Sequence, residues 1–224
     1  MAALNEPESA GGGKHKVISV RDLSPSAYVL RLDRRTLVFD AGQYIHVGPL
    51  PGLDRREYSV YSSPDADYLE ILVKEIPVGA VSPRLRRLEA GEDVDVEGPF
   101  GFFRIEPAQA RHPLLFIATG TGISPFHCFV QSRDDLNYRL VHGVRGPEEA
   151  YDHGDFSPER LTRCYSRSEE GDLHGRVTDW LRGADIPAGT MAYLCGNCDM
   201  IYEAYDILGE RGIPADRIHA EVYF

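Results

Sequence analysis

The chain is short of cysteine, of positive charge and of long apolar runs, and each shortage excludes a class of protein. Four cysteines in 224 residues, at Cys128, Cys164, Cys195 and Cys198, are too few to staple a chain of this size with disulfides. They also lack the C-x4-C-x2-C run of a plant-type iron–sulfur cluster, so any redox group has to be organic and borrowed. Lys and Arg number 24 against 35 Asp and Glu, a formal net charge of −11, whereas general nucleic-acid binding needs a basic footprint. No stretch approaches the roughly 18 apolar residues of a membrane-spanning helix. The opening MAALNEPESAGGGKHK has no basic segment ahead of an apolar core, so no secretory signal is expected and the cytoplasm is the expected compartment. The eight histidines are scattered without ligand spacing and C-x-x-C occurs once, so no metal site is expected.

Two patterns follow one another along what remains. The first half holds short runs rich in Val, Ile and Tyr: HKVISVRDL, AYVLRLDR, QYIHVG, REYSVYS, YLEILVKEI and EDVDVEGPF. Gly, Pro, Asp and Ser separate them, which reads as a six-stranded antiparallel barrel. SPRLRRLEAG interrupts it as a helix, with Ser82 as N-cap, Pro83 in the first turn, Gly91 as C-cap, and Leu85 and Leu88 turned inward. Beyond IEPAQARHP, strand-like LLFIATG, YRLVHGV, LTRCYSR, MAYLCGN and RIHAEVYF alternate with helical stretches such as GRVTDWLRG and DMIYEAYDILGERG. In the latter, Ile201, Ala204, Tyr205 and Leu208 share a face. Strands alternating with helices predict a parallel, doubly wound sheet. The expected division is a flexible tail over 1–15, a barrel over 16–108 and an α/β domain over 109–224.

Ligands of open parallel sheets gather beyond the carboxyl ends of the strands. There ATGTGISP places Gly120, Thr121 and Gly122 between a strand and a helix, where backbone N–H groups are free to meet a ligand or where the chain merely turns tightly. Arg145, Ser166, Arg167 and Arg176 fall after neighbouring strands, and several guanidinium groups around a serine suit a phosphate monoester. In the barrel, RREYSVYSS combines cations, rings and hydroxyls on one strand, a set suited to a flat, negatively charged ligand.

Together these segments resemble the ferredoxin–NADP+ reductase family, and most closely its bacterial ferredoxin/flavodoxin reductases, from about Lys16 to Phe224. REYS matches the family's R-x-Y-S flavin motif, GAVS its second phosphate segment, GTGISP and CGN its nicotinamide side, and EVY its C-terminus. The resemblance implies FAD and NADP(H) as cofactors. It implies that Arg56 pairs with the pyrophosphate, that Tyr58 lies against the isoalloxazine, and that Ser59, followed by Val60, sits at the reactive edge. Gly79, Ala80, Val81 and Ser82 meet the pyrophosphate in this picture, while Gly120, Thr121, Gly122, Cys195 and Gly196 meet the nicotinamide. Glu221 is implied as the carboxylate near that site and Tyr223 as the ring covering the flavin, with Phe224 an added terminal aromatic that helps anchor FAD. Ser59, Cys195, Glu221 and Tyr223 are thus the expected catalytic set. Arg145, Ser166, Arg167 and Arg176 become the 2′-phosphate site that favours NADP over NAD.

The implied activity is hydride transfer between NADP(H) and FAD, and single-electron exchange with ferredoxin or flavodoxin. The expected docking patch is Arg84, Arg86 and Arg87, with Arg34 and Arg35, on an expected monomer. Two alternatives stand beside it: the reductase component of an oxygenase system or an NAD(P)H–flavin reductase, and a non-catalytic flavin- or nucleotide-binding regulatory module.

Overall fold

The computed structural model describes residues 11–223. Six strands form the first unit: β1 (Gly11–Ser24), β2 (Ala27–Asp33), β3 (Tyr44–Pro49), β4 (Arg56–Ser59), β5 (Tyr68–Lys74) and β6 (Asp93–Phe100). All pair antiparallel in the order β4-β3-β6-β1-β2-β5. The bridge between Val60 and Ile71 brings the two ends together. The barrel is therefore nearly closed, which leaves few unpaired edge groups. Leu30, Leu32, Ile45, Val47, Ile71 and Val94 fill its interior.

A short helix, α1 (Ser82–Arg86), plugs the barrel with the fully buried Leu85. It is shorter than its sequence suggests. The N-cap is Val81 rather than Ser82, whose hydroxyl instead accepts the Ile76 N–H at 2.9 Å. The helix stops at Arg86, and Gly91, at φ +94°, turns the chain into β6 while its N–H bonds the Val17 carbonyl. β1 begins earlier than expected: residues 11–15 pair with β6 from Gly98 to Val94, so that part of the supposed tail is strand.

The chain passes over 101–113 into the second sheet. Its strands are β7 (Leu114–Thr119), β8 (Tyr138–Val144), β9 (Leu161–Tyr165), β10 (Leu173–His174), β11 (Met191–Asn197) and β12 (Ile218–Tyr223). They run parallel in the order β10-β9-β8-β7-β11-β12. β10, two residues long, carries no periodic signal and was not expected. Helices α3 (Val177–Gly183) and α4 (Cys198–Glu210) cover one face through Val177, Leu181, Ile201, Ala204 and Leu208. Tyr205, expected on that apolar face, is 42% exposed, and Ile207 is buried there instead.

Helix α2 (Ser124–Ser132) covers the other face together with the barrel itself. Ala27 and Val29 of β2, Leu72 of β5 and Tyr61 just after β4 point out of the barrel into a core they share with Phe116, Phe126 and Tyr193. Phe116 and Phe126 stack at 4.8 Å, and Phe103 meets Phe126 and Tyr193 edge-on. The two units are thus fused through aromatic packing. Among the described residues no helix is long and apolar enough to cross a membrane.

Phe116→Ala should lower stability by about 3–5 kcal/mol, and urea denaturation should show barrel and sheet unfolding in one transition. Separate transitions would mean that the shared core does not couple them.

Candidate active site

A cavity of about 1020 Å³ lies between the barrel and the carboxyl ends of the parallel strands. Strand β4 forms one wall. Antiparallel pairing sets Tyr44 opposite Ser59 and Ile45 opposite Tyr58, and Arg56, Tyr58 and Ser59 of this strand line the cavity. Tyr58 leans on the barrel core while its ring lines the cavity, and burial pushes its hydroxyl up to about 12. Of the two adjacent arginines only Arg56 is available. Arg55 is held by Asp95 and Glu97, whereas Arg56 has no carboxylate partner among the described residues.

Gly79, Ala80, Val81 and Ser82 line the cavity beyond Arg56. The N–H groups of Ala80 and Val81 make no hydrogen bond to backbone or side chain among the described residues. Free amides beside a free guanidinium suit a pyrophosphate. The aromatic wall at Tyr58 suits a flat ring. The residues present therefore fit FAD. The Ser82 hydroxyl accepts the Ile76 N–H, which leaves its own hydrogen free to donate.

The opposite wall comes from the parallel sheet. Gly120 and Thr121 after β7, Gly196 and Asn197 at the end of β11, and Glu221 to Tyr223 on β12 all line the cavity. Two glycines let the first two segments interlock. A Cβ on Gly122 would overlap the Cys195 carbonyl, and one on Gly196, at φ +126°, would overlap Thr119. Thr119 Oγ1 then accepts the Asn197 N–H at 2.9 Å. Gly122 thus acts as a packing position behind the cavity.

The walls meet in a chain of hydrogen bonds. Tyr223 OH donates to Ser59 Oγ at 2.6 Å, and Ser59 Oγ donates to Glu221 at 2.5 Å, across 162 residues of sequence. Parallel register sets Cys195 beside Glu221 and Asn197 beside Tyr223. Burial pushes the Glu221 carboxyl up to about 7; its hydrogen bond with Ser59 opposes this and nearby Glu57 adds to it. Burial likewise raises the Cys195 thiol well above its usual value, so this fully buried cysteine is a neutral neighbour of the chain. All four cysteines are free thiols. Among the described residues no group of His, Cys, Asp and Glu side chains is placed to hold a metal ion.

Several expected residues fall elsewhere. Val60 is fully buried in the barrel core and does not line the cavity. Phe224 lies outside the described residues. Arg145, Ser166, Arg167 and Arg176 form a separate exposed group beyond β8 and β9, tied by the Arg167 N–H to the Arg145 carbonyl at 2.9 Å. None of these three guanidinium groups has a carboxylate within 4 Å among the described residues. The arginines of the expected docking patch are largely engaged within the protein. Arg86 is paired to Asp22 and Glu75, Arg84 donates to the Pro51 carbonyl, and Arg34 is bound to the carbonyls of Leu37, Pro64 and Ala66. Arg87, the C-cap of α1, is exposed without such a partner among the described residues.

Tyr44, His46 and Leu72 line the cavity although the sequence reading passed over them. A signal was present for the first two: aromatic side chains at alternate positions of QYIHVG, on the strand face that a half-buried barrel keeps polar.

Glu221 has a consequence for stability. Its folded pKa of about 7 lies above the model-peptide value of 4.5, so folding takes up a proton between the two. The stabilisation this confers is fully present below about 4.5 and is lost as pH rises through about 7. Glu221→Gln cannot ionise, so the melting temperature of the FAD-free variant should gain on the parent between pH 5 and pH 8. A gap that does not change with pH would contradict the assignment.

Comparison with known proteins agrees with this architecture. Residues 14–105 match the oxidoreductase FAD-binding domain family. Ferredoxin–NADP reductase B of Sorangium cellulosum (strain So ce56) is 29% identical over 93% of this chain and 96% of its own length. Reductase component 2 of terephthalate 1,2-dioxygenase from Comamonas sp. is 28% identical over 97% of this chain and 70% of its own. The crystal structure of a ferredoxin NADP+ reductase from Neisseria gonorrhoeae with bound FAD and NADP superposes with a TM-score of 0.85 at 23% identity, covering 95% of this chain and 99% of that one. With a barrel that matches the FAD-binding domain family, a parallel sheet fused to it and a polar cavity at their junction, the chain is similar over nearly its whole length to ferredoxin–NADP reductases and to oxygenase reductase components.

Proposed function

We propose that this flavoprotein reductase takes hydride from NADPH and passes single electrons to a small carrier of the ferredoxin or flavodoxin kind. The observation that carries this reading is the Tyr223–Ser59–Glu221 chain, which joins the two units at one cavity. Bound FAD would supply hydride exchange with a pyridine nucleotide and single-electron exchange with a carrier.

The protein's own residues do the rest. Arg56 and the Ala80 and Val81 amides hold the pyrophosphate, and Tyr58 keeps water from one face of the ring. Ser59 stands between a donor, Tyr223, and an acceptor, Glu221, so its hydroxyl can hold a proton at the cavity wall. Glu221, titrating near neutrality, sets whether that wall carries charge. Tyr223 guards the place a nicotinamide would take and has to yield it. Gly196 forms the floor there, with the buried Cys195 behind it. A steady-state profile of NADPH oxidation should show an ionisation near pH 7 that Glu221→Gln abolishes.

NADPH preference rests on Arg145, Ser166, Arg167 and Arg176, an exposed cationic group with no carboxylate to neutralise it among the described residues. Replacing Arg167 and Arg176 by Ala should raise the KM for NADPH by roughly 10- to 100-fold and leave that for NADH nearly unchanged. Equal effects on both nucleotides would refute the assignment.

A second reading, the reductase component of an oxygenase system, is favoured by the match to the terephthalate dioxygenase reductase component over 97% of this chain. Reduction rates with ferredoxin, flavodoxin and an oxygenase component separate the two.

A further inference from the structure

One buried polar pair has no part in the chemistry above. His142, near the end of β8, is fully buried, with Nε2 2.8 Å from the Gly120 carbonyl and Nδ1 2.7 Å from Nε2 of His153. A carbonyl only accepts, so His142 Nε2 carries a hydrogen. Burial pushes His142 down to about 3 and His153 to about 4, so both rings are neutral with one N–H each. His142 Nδ1 is therefore bare and accepts from His153 Nε2. This leaves His153 Nδ1 as the bare atom, and among the described residues it is the one ring nitrogen of the pair without a partner. The directions are thereby settled: His153 donates to His142, which donates to Gly120.

His153 is itself held from the barrel. The residue before it, Asp152, adopts φ +46°, a conformation rare outside glycine. Its carboxylate accepts two hydrogen bonds from Arg21 of β1, at 2.9 and 2.7 Å, and a third from Tyr61 OH at 3.1 Å. Hydrogen bonds and covalent links thus run without a gap from barrel strand β1 through Asp152, His153 and His142 to Gly120.

Gly120 and Thr121 line the cavity, and Gly120 lies at φ +55°. In a trans peptide the C=O and the following N–H point in opposite directions. With the Gly120 carbonyl drawn onto buried His142, the Thr121 N–H points away from that histidine. That N–H stands in the first turn of a short helical segment, 120–123, where it has no intrahelical acceptor.

We propose that His142, oriented by His153, is a positioning residue that fixes the Gly120–Thr121 peptide so that its N–H meets a polar group of the pyridine nucleotide. The inference rests on the reading that this loop is the nucleotide side of the cavity. It assigns the Asp152–His153 segment a role as well: it registers the loop against the flavin-bearing barrel.

The test uses the FAD-loaded full chain and four variants. Glutamine can place an Nε2–H where histidine has one; leucine fills the space and donates nothing. His142→Leu and His153→Leu should slow flavin reduction by saturating NADPH roughly 10- to 100-fold in rapid mixing, while His142→Gln and His153→Gln recover most of the rate. Reoxidation of the dithionite-reduced protein by ferricyanide should stay at the parent rate in all four. Nitrogen-15 spectra at neutral pH should show His142 as the Nε2–H tautomer, in the parent and in His153→Gln. The proposal is overturned if the leucine variants reduce at the parent rate, if glutamine and leucine lose it alike, if ferricyanide reoxidation falls in step, or if His142 carries its hydrogen on Nδ1. A parent protein that binds FAD but is reduced by neither NADPH nor NADH would instead overturn the reading of the loop, and the inference with it.

Discussion

The aromatic core between barrel and sheet is the constraint on which the site depends. A barrel strand usually hides one face and wets the other, but β2 and β5 hide both: Tyr28, Leu30 and Ile71 inside, Ala27, Val29 and Leu72 against Phe116 and Phe126. Removing that outward face from water fixes the two units as one body, since rotating either would expose it. Only on such a foundation can Ser59 and Glu221, from separate units, stand 2.5 Å apart. The cavity is what the interface leaves open at one end.

Charge is distributed by the same logic. An acidic chain places many of its arginines in structural pairs: Arg55 with Asp95 and Glu97, Arg86 with Asp22 and Glu75, Arg163 with Asp172. Arg56 in the cavity and the group at Arg145, Arg167 and Arg176 stand apart from these. An unpaired guanidinium keeps its donors for a phosphate, whereas a paired one has already lost them to a neighbour. Next-door residues such as Arg55 and Arg56 can therefore have opposite uses. At the other wall, burial without a cation leaves Glu221 near neutrality, where small changes in occupancy of the cavity can move its proton.

Much of the fold was legible because local pattern and long-range order agreed. Short Val- and Tyr-rich runs became the barrel, and apolar runs ending in glycine became β7, β8 and β11. The failures share a physical cause. Ser82 looks like a cap, but the Ile76 N–H lies closer to its hydroxyl than the helix does. Tyr205 fits a helical stripe, yet α4 rolls so that Ile207 faces the sheet instead. Val60 follows a flavin motif but points into the barrel, since strand alternation outranks adjacency to the motif. Arg86 is a surface cation by composition and an ion-paired brace in space.

Local sequence determined which segments are strands, where phosphate-loving amides and glycines lie, and which residue types a flavin and a nucleotide would meet. Those follow from backbone preferences and side-chain chemistry within a few residues. Tertiary structure alone decided that Tyr223, Ser59 and Glu221 touch, that Glu221 sheds its proton late, and that His142 lies under Gly120 with His153 beside it. Such relations depend on distance and burial between segments from different elements of the fold, and no pattern of neighbours in sequence encodes them.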